Sequence, residues 1–182
     1  KVWGPSADEP EQGTLAFCDN LYKLMAWHRE SFSFLKTGLK PTVPGEKSDG
    51  FDIVATELPY MTNGGIAYQN DATGVTIKHF PAVHARNGSI SYKLEWNGLS
   101  MVFSGDTKPN DFMLEHGKNV DVLIHEMVVP PEVWATKNTG LEEGDVGYVQ
   151  AVQAAQDIQD SSHTAQKAFG YILSQTTPRL GV

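Results

Sequence analysis

The chain has 182 residues, enough for one substantial core, and its 40% hydrophobic and 20% charged content indicates a globular protein rather than a disordered or fibrous one. No apolar run approaches the length of a membrane span. A formal charge of −8, with Lys and Arg scattered along the chain, argues against a broad basic footprint for nucleic acid.

Residues 14–30 read as an amphipathic helix with Thr14 as N-cap, because Cys18, Leu21, Tyr22 and Met25 recur at helical spacing. Cys18 is the single cysteine, so there is neither an internal disulfide nor a thiolate metal cluster, and on the apolar face it reads as a buried, inert thiol. The prolines and glycines of Thr37–Gly50 predict a loop. Strands are expected near Asp52–Thr56, Gly65–Gln69 and Val75–Phe80, the last running into Pro81–Ala82–Val83–His84. Ser89–Glu95 and Leu99–Ser104 flank Asn97–Gly98, a strong hairpin signal. Asp121–His125 is a short buried strand.

Further on, Pro130–Pro131 and a Gly- and Glu-bearing stretch predict a loop over 130–145, a candidate lid, on which Trp134 either packs into the core or lines an apolar pocket. Val146–Ile158 reads as a helix. A clearer helix follows, carrying Ala165, Ala168, Phe169, Ile172 and Leu173 on one face, with Ser162 as N-cap and Pro178 as the stop. His163 would then lie in its first turn, where the helix dipole disfavours imidazolium. Arg179–Val182 reads as a strand just begun. The first residues, Lys1–Val2–Trp3–Gly4–Pro5, show neither an initiating Met nor a signal-peptide core. The expectation is a start inside a longer polypeptide, which leaves the compartment unreadable.

Polar residues close several of the apolar runs. Asp106 in Ser104–Gly105–Asp106–Thr107 follows a strand and a glycine; it suits a carboxylate shared between cations, or a turn-forming residue. His84 stands just past a strand, where neutral imidazole serves either as a metal ligand or as a solvated loop residue. Successive strand residues face opposite sides, so only one of His125 and Glu126 can enter a given site. A carboxylate there could orient a histidine as a general acid, and His163 is the candidate partner. His28 and His116 read as surface residues, and His79 as a partly buried structural one.

In this order the motifs resemble the metallo-β-lactamase superfamily, and within it the branch of ribonuclease Z and its arylsulfatase-like relatives. Val2–Trp3–Gly4–Pro5 is similar to the element that follows the first metal motif, and Val83–His84 to the segment carrying a later metal histidine. Ser104–Gly105–Asp106–Thr107 resembles the bridging-Asp motif, His125–Glu126 the His-Glu strand end, and Ser162–His163–Thr164 the motif whose histidine works with that glutamate. The resemblance implies an α/β (α+β) fold, a metallo-β-lactamase-like αββα sandwich, here incomplete. Residues 1–182 would form one domain truncated at both ends.

It further implies His84 and Asp106 as metal ligands, Glu126 and His163 as the catalytic relay, and a structural role for His125. The cofactor would be zinc, two ions per intact site, with manganese or iron tolerated by the same donors. The His-x-His-x-Asp-His cluster of that superfamily is not in this sequence, nor is a final metal histidine. Two ligands are too few for a closed site, so the function implied is a metal-dependent hydrolase that needs residues outside this chain. Its substrate would be a small or medium phosphodiester, sulfate ester or related ester, and a homodimer is one assembly the pattern allows. The alternatives are a metal-free binding or scaffolding module of the same fold, and a tRNA 3′-processing endoribonuclease, which the acidic charge does not favour.

Overall fold

The computed structural model describes residues 1–29, 31 and 53–182. The loop expected over Thr37–Gly50 lies outside these. Contacts divide the chain into two units, Lys1–Pro59 and Tyr60–Val182.

In the first unit, β1 (Val2–Pro5) pairs in parallel with β2 (Ala55–Leu58), and helix α1 (Thr14–Leu24) accompanies them. Gly13, not Thr14, occupies the N-cap position of α1. Thr14 instead donates its hydroxyl to the Pro5 carbonyl at 2.9 Å, tying helix to strand. Glu57 completes the join by accepting the Leu15 N–H at 2.8 Å. Cys18 is buried, as its place on the apolar face predicts. Arg29 stacks over the Tyr22 ring at 3.5 Å.

The second unit is built on a six-stranded sheet in the order β3-β4-β5-β6-β7-β8. Its strands are β3 (Gly65–Asn70), β4 (Val75–Pro81), β5 (Ile90–Trp96), β6 (Leu99–Phe103), β7 (Val122–Ile124) and β8 (Leu180–Gly181). The first four run antiparallel, and β6, β7 and β8 run parallel. Asn97 and Gly98 take φ of 50° and 76°, the double positive φ that a two-residue hairpin turn requires. Phe80, Val102, Met113, Val120, Leu123 and Ile172 form the core on one face of the sheet. Helices α2 (Asp111–His116) and α5 (Gln166–Thr176) supply Met113 and Ile172 to it.

Residues 130–145 are not a loop. Helix α3 (Pro131–Thr139) occupies most of the segment, with proline at its start, where the missing N–H costs nothing, and Gly140 at φ 73° closing it. Trp134 is half-buried on this helix. Helix α4 (Tyr148–Ser162) runs four residues past the expected Ile158, so Ser162 ends this helix instead of capping the next. The Ser161 and Ser162 hydroxyls bond back to the Ile158 carbonyl at 2.8 and 3.2 Å, the backward bonding that serine uses inside a helix. His163 is therefore the C-cap of α4, and Ala165 is the N-cap of α5. His116 is no plain surface residue: its ring stacks on Phe80 at 4.2 Å and bonds Asn63. His79 is buried to 2% exposure. Among the described residues no helix is long and apolar enough to cross a membrane.

Candidate active site

Two antiparallel steps separate β4 from β6, and β7 is parallel to β6, so the C-terminal ends of β4, β6 and β7 lie at one edge of the sheet. His84 follows the first, Asp106 the second, and His125–Glu126 the third. The end of α4 brings His163 to the same edge. Strand C-termini feeding loops into one edge are a common place for a site, because the loops can converge without disturbing the core.

The loops are tied to one another. The Val83 N–H donates to Thr107 Oγ1 at 3.0 Å, and the Lys108 N–H to the Val83 carbonyl at 2.8 Å, which sets the His84 loop against the Asp106 loop. Gly105 makes the Asp106 turn possible. Its φ is +61°, and a Cβ there would lie 3.2 Å from the Ile90 carbonyl oxygen. Beneath it, Ser91 Oγ donates to the Ser104 carbonyl at 2.6 Å, and the Glu126 N–H donates to Ser104 Oγ at 2.9 Å. Ser91, Ser104, Thr107 and Thr164 are all buried and hydrogen-bonded.

Glu126 and His163 meet directly. Glu126 Oε2 lies 2.8 Å from His163 Nδ1, and Glu126 Oε1 accepts the Thr107 N–H. His163 carries an edge-on ring contact to His84, with centroids 4.8 Å apart. Its position is the C-terminal end of α4, not the first turn of the next helix. His84 Nδ1 lies 2.9 Å from the Ser162 carbonyl. A carbonyl only accepts, so Nδ1 carries a proton, and Nε2 is the ring nitrogen turned away from this bond. Asp106 is exposed on its loop.

His125 turns the other way. It is buried, with Nδ1 donating to the Glu126 carbonyl at 2.7 Å and its ring 5.8 Å from that of Phe169. Burial holds its pKa below the usual imidazole range, outweighing the Glu126 carbonyl and carboxylate that pull it up. Among the described residues its Nε2 has no hydrogen-bond partner.

The donor chemistry at this edge fits zinc as part of a ligand set. An imidazole whose Nδ1–H is spent on a backbone carbonyl presents Nε2 in a fixed direction, the usual support for a zinc-bound histidine. Among the described residues, however, no group of three or more His, Cys, Asp and Glu stands ready to hold a metal. Sequence reasoning missed Thr107, Thr164, Ser91 and Ser104, which hold the loops in place. Their only sign in the sequence is adjacency to Asp106, His163 and strand ends.

No family model matches the sequence. Over 44 residues, 24% of this chain, it is 46% identical to the zinc phosphodiesterase ELAC protein 2 homolog of Caenorhabditis elegans, of which the match spans 5%. Among solved structures, human tRNase Z, short form (ELAC1), aligns with a TM-score of 0.43 and 16% identity, over 65% of this chain and 38% of that one. The metallo-β-lactamase fold protein YhfI from Bacillus subtilis aligns with a TM-score of 0.42 and 12% identity, over 70% of this chain and 44% of that one. The chain thus spans well under two thirds of each.

Proposed function

We propose that this chain is part of a zinc-dependent hydrolase of the metallo-β-lactamase type that cleaves a small or medium phosphodiester. The observation that carries the reading is the 2.8 Å hydrogen bond between Glu126 and His163, made beside His84. The segment match to a zinc phosphodiesterase favours a phosphodiester over a sulfate ester. Residues 1–182 are read as belonging to one domain.

His84, through Nε2, and Asp106 would hold the metal, with the other ligands supplied from beyond the described residues. When bound, zinc stabilises charge on the reacting group and makes water acidic enough to react near neutral pH. The chain's own residues then handle the leaving group. The Thr107 N–H holds Glu126 by one oxygen, and the other oxygen accepts the Nδ1–H of His163. That bond orients the ring and fixes Nδ1 as a protonated nitrogen facing the carboxylate. Nε2–H is left to pass its proton to the departing oxygen, and water restores it afterwards.

Zinc content and turnover of the intact protein test this, against an aryl phosphodiester, an aryl sulfate and a carboxylic ester. The expected result is about two zinc ions per chain, as in two-metal hydrolases. Both His84→Ala and Asp106→Ala should lower that content, and the diester should be the best substrate. A protein that takes up no zinc and turns over none of the three would instead be a metal-free binding module.

A further inference from the structure

The residues 162–164 join several parts of the site at once. The Ser162 carbonyl accepts His84 Nδ1–H, and His163 Nδ1 meets Glu126 Oε2. Thr164 Oγ1 donates to the Thr107 carbonyl at 2.7 Å, and the Thr164 carbonyl accepts the Val128 N–H at 3.1 Å. Both threonines are fully buried.

Thr107 is in turn the residue whose N–H holds Glu126 Oε1. A closed ring results: Thr164 hydroxyl to Thr107, Thr107 amide to Glu126, Glu126 carboxylate to His163, and one peptide bond back to Thr164. Removing the Thr164 hydroxyl breaks the side-chain tie between the His163 segment and Thr107, the residue that anchors Glu126. A buried residue serving only to fill space would not need the hydroxyl, because valine has nearly the same shape.

We propose that Thr164 is the positioning residue of the Glu126–His163 pair, its hydroxyl fixing the distance between the imidazole and the carboxylate. This rests on the relay described above, in which it touches no reacting atom.

The test is a long-range proton–nitrogen correlation spectrum of the 15N-labelled intact protein, compared among wild type, Thr164→Val and Thr164→Ser. The His163 ring signals are assigned by their disappearance in His163→Gln. The wild type should show a protonated Nδ1 with a proton shifted downfield by the carboxylate. Thr164→Ser, which keeps the hydroxyl, should retain that signal. Thr164→Val should lose it. A folded Thr164→Val with an unchanged His163 signal would overturn the proposal. So would a Thr164→Ser that loses the signal, which decides the matter even where the valine variant does not fold. Failure of the hydrolase reading would show as absent zinc and turnover with this signal intact, so the two fail separately.

Discussion

His84 donates its Nδ1–H to the carbonyl of Ser162, 78 positions along the chain and 2.9 Å away, in the residue next to His163. The imidazole proposed to bind metal and the imidazole proposed to donate a proton are thus anchored to the same turn. Loss of that turn should disturb both. Thr164→Val in the intact enzyme is therefore expected to lower zinc affinity as well as turnover, by about the 10- to 100-fold typical of supporting residues around a metal site. A zinc titration monitored by a competing chelator reads the first effect independently of the second.

Gly105 has two reasons to be glycine, and a control separates them. Gly74 shares its positive φ, at +71°, but has open space around it, whereas a Cβ at Gly105 meets the Ile90 carbonyl. Gly74→Ala should cost about 1–2 kcal/mol, the backbone strain alone. Gly105→Ala should cost more than that, since neither the Ile90 strand nor the turn can move away freely. Urea midpoints of the two variants make the comparison, and equal losses would remove the steric part of the argument.

Asn110 caps α2 by accepting the Met113 N–H at 2.9 Å, while its amide donates to Thr107 Oγ1 and the Lys108 carbonyl at 3.0 Å each. Asn110→Ala should lose about 1 kcal/mol from the cap. Asn110→Asp keeps the cap acceptor but removes the donor toward Thr107. It should retain more stability than alanine while still weakening turnover.

Acid should destabilise the fold in a defined window. His79 and His125 are both held below the usual imidazole value of 6.5 by burial, His125 against an opposing pull from Glu126. Below 6.5 the unfolded chain takes up protons that the folded chain refuses, so stability is complete above that value and falls as pH drops beneath it. Asp121 behaves differently. The Ser100 N–H, then Arg179, hold its carboxyl below 3.8, so its contribution persists until more acidic solution. Unfolding followed from about pH 7.5 to about pH 5 should therefore show a slope that His79→Gln reduces. A flat profile would mean that these rings are not neutral in the folded state.

Much of this arrangement is legible in the sequence because strand ends are locally encoded. The Asn97–Gly98 turn fixes the hairpin and hence the parity that sends β4 and β6 to one edge. Asp106 and Glu126 then follow apolar runs without ambiguity. The errors arose where a short polar residue had two uses. Serines 161 and 162 bond backward and extend α4, so the expected cap became a helix end and His163 changed from one dipole end to the other. Pro130–Pro131 looked like a loop signal but opened α3, where proline at the first position is favourable. The roles of Thr107 and Thr164 are not readable at all, because the Thr164 hydroxyl donates to a backbone carbonyl 57 positions away.

The proton-donating role of His163 is the central claim, and the dependence of rate on leaving group tests it most directly. Turnover of the intact protein is measured on aryl phosphodiesters from activated to poor leaving groups, in wild type, His163→Ala and Glu126→Gln. Both variants should lose about 10²–10⁴-fold on the poorest leaving groups and far less on the most activated, giving a steeper dependence than wild type. Equal slowing across the whole series would contradict the account, since a group that donates no proton cannot distinguish one leaving oxygen from another.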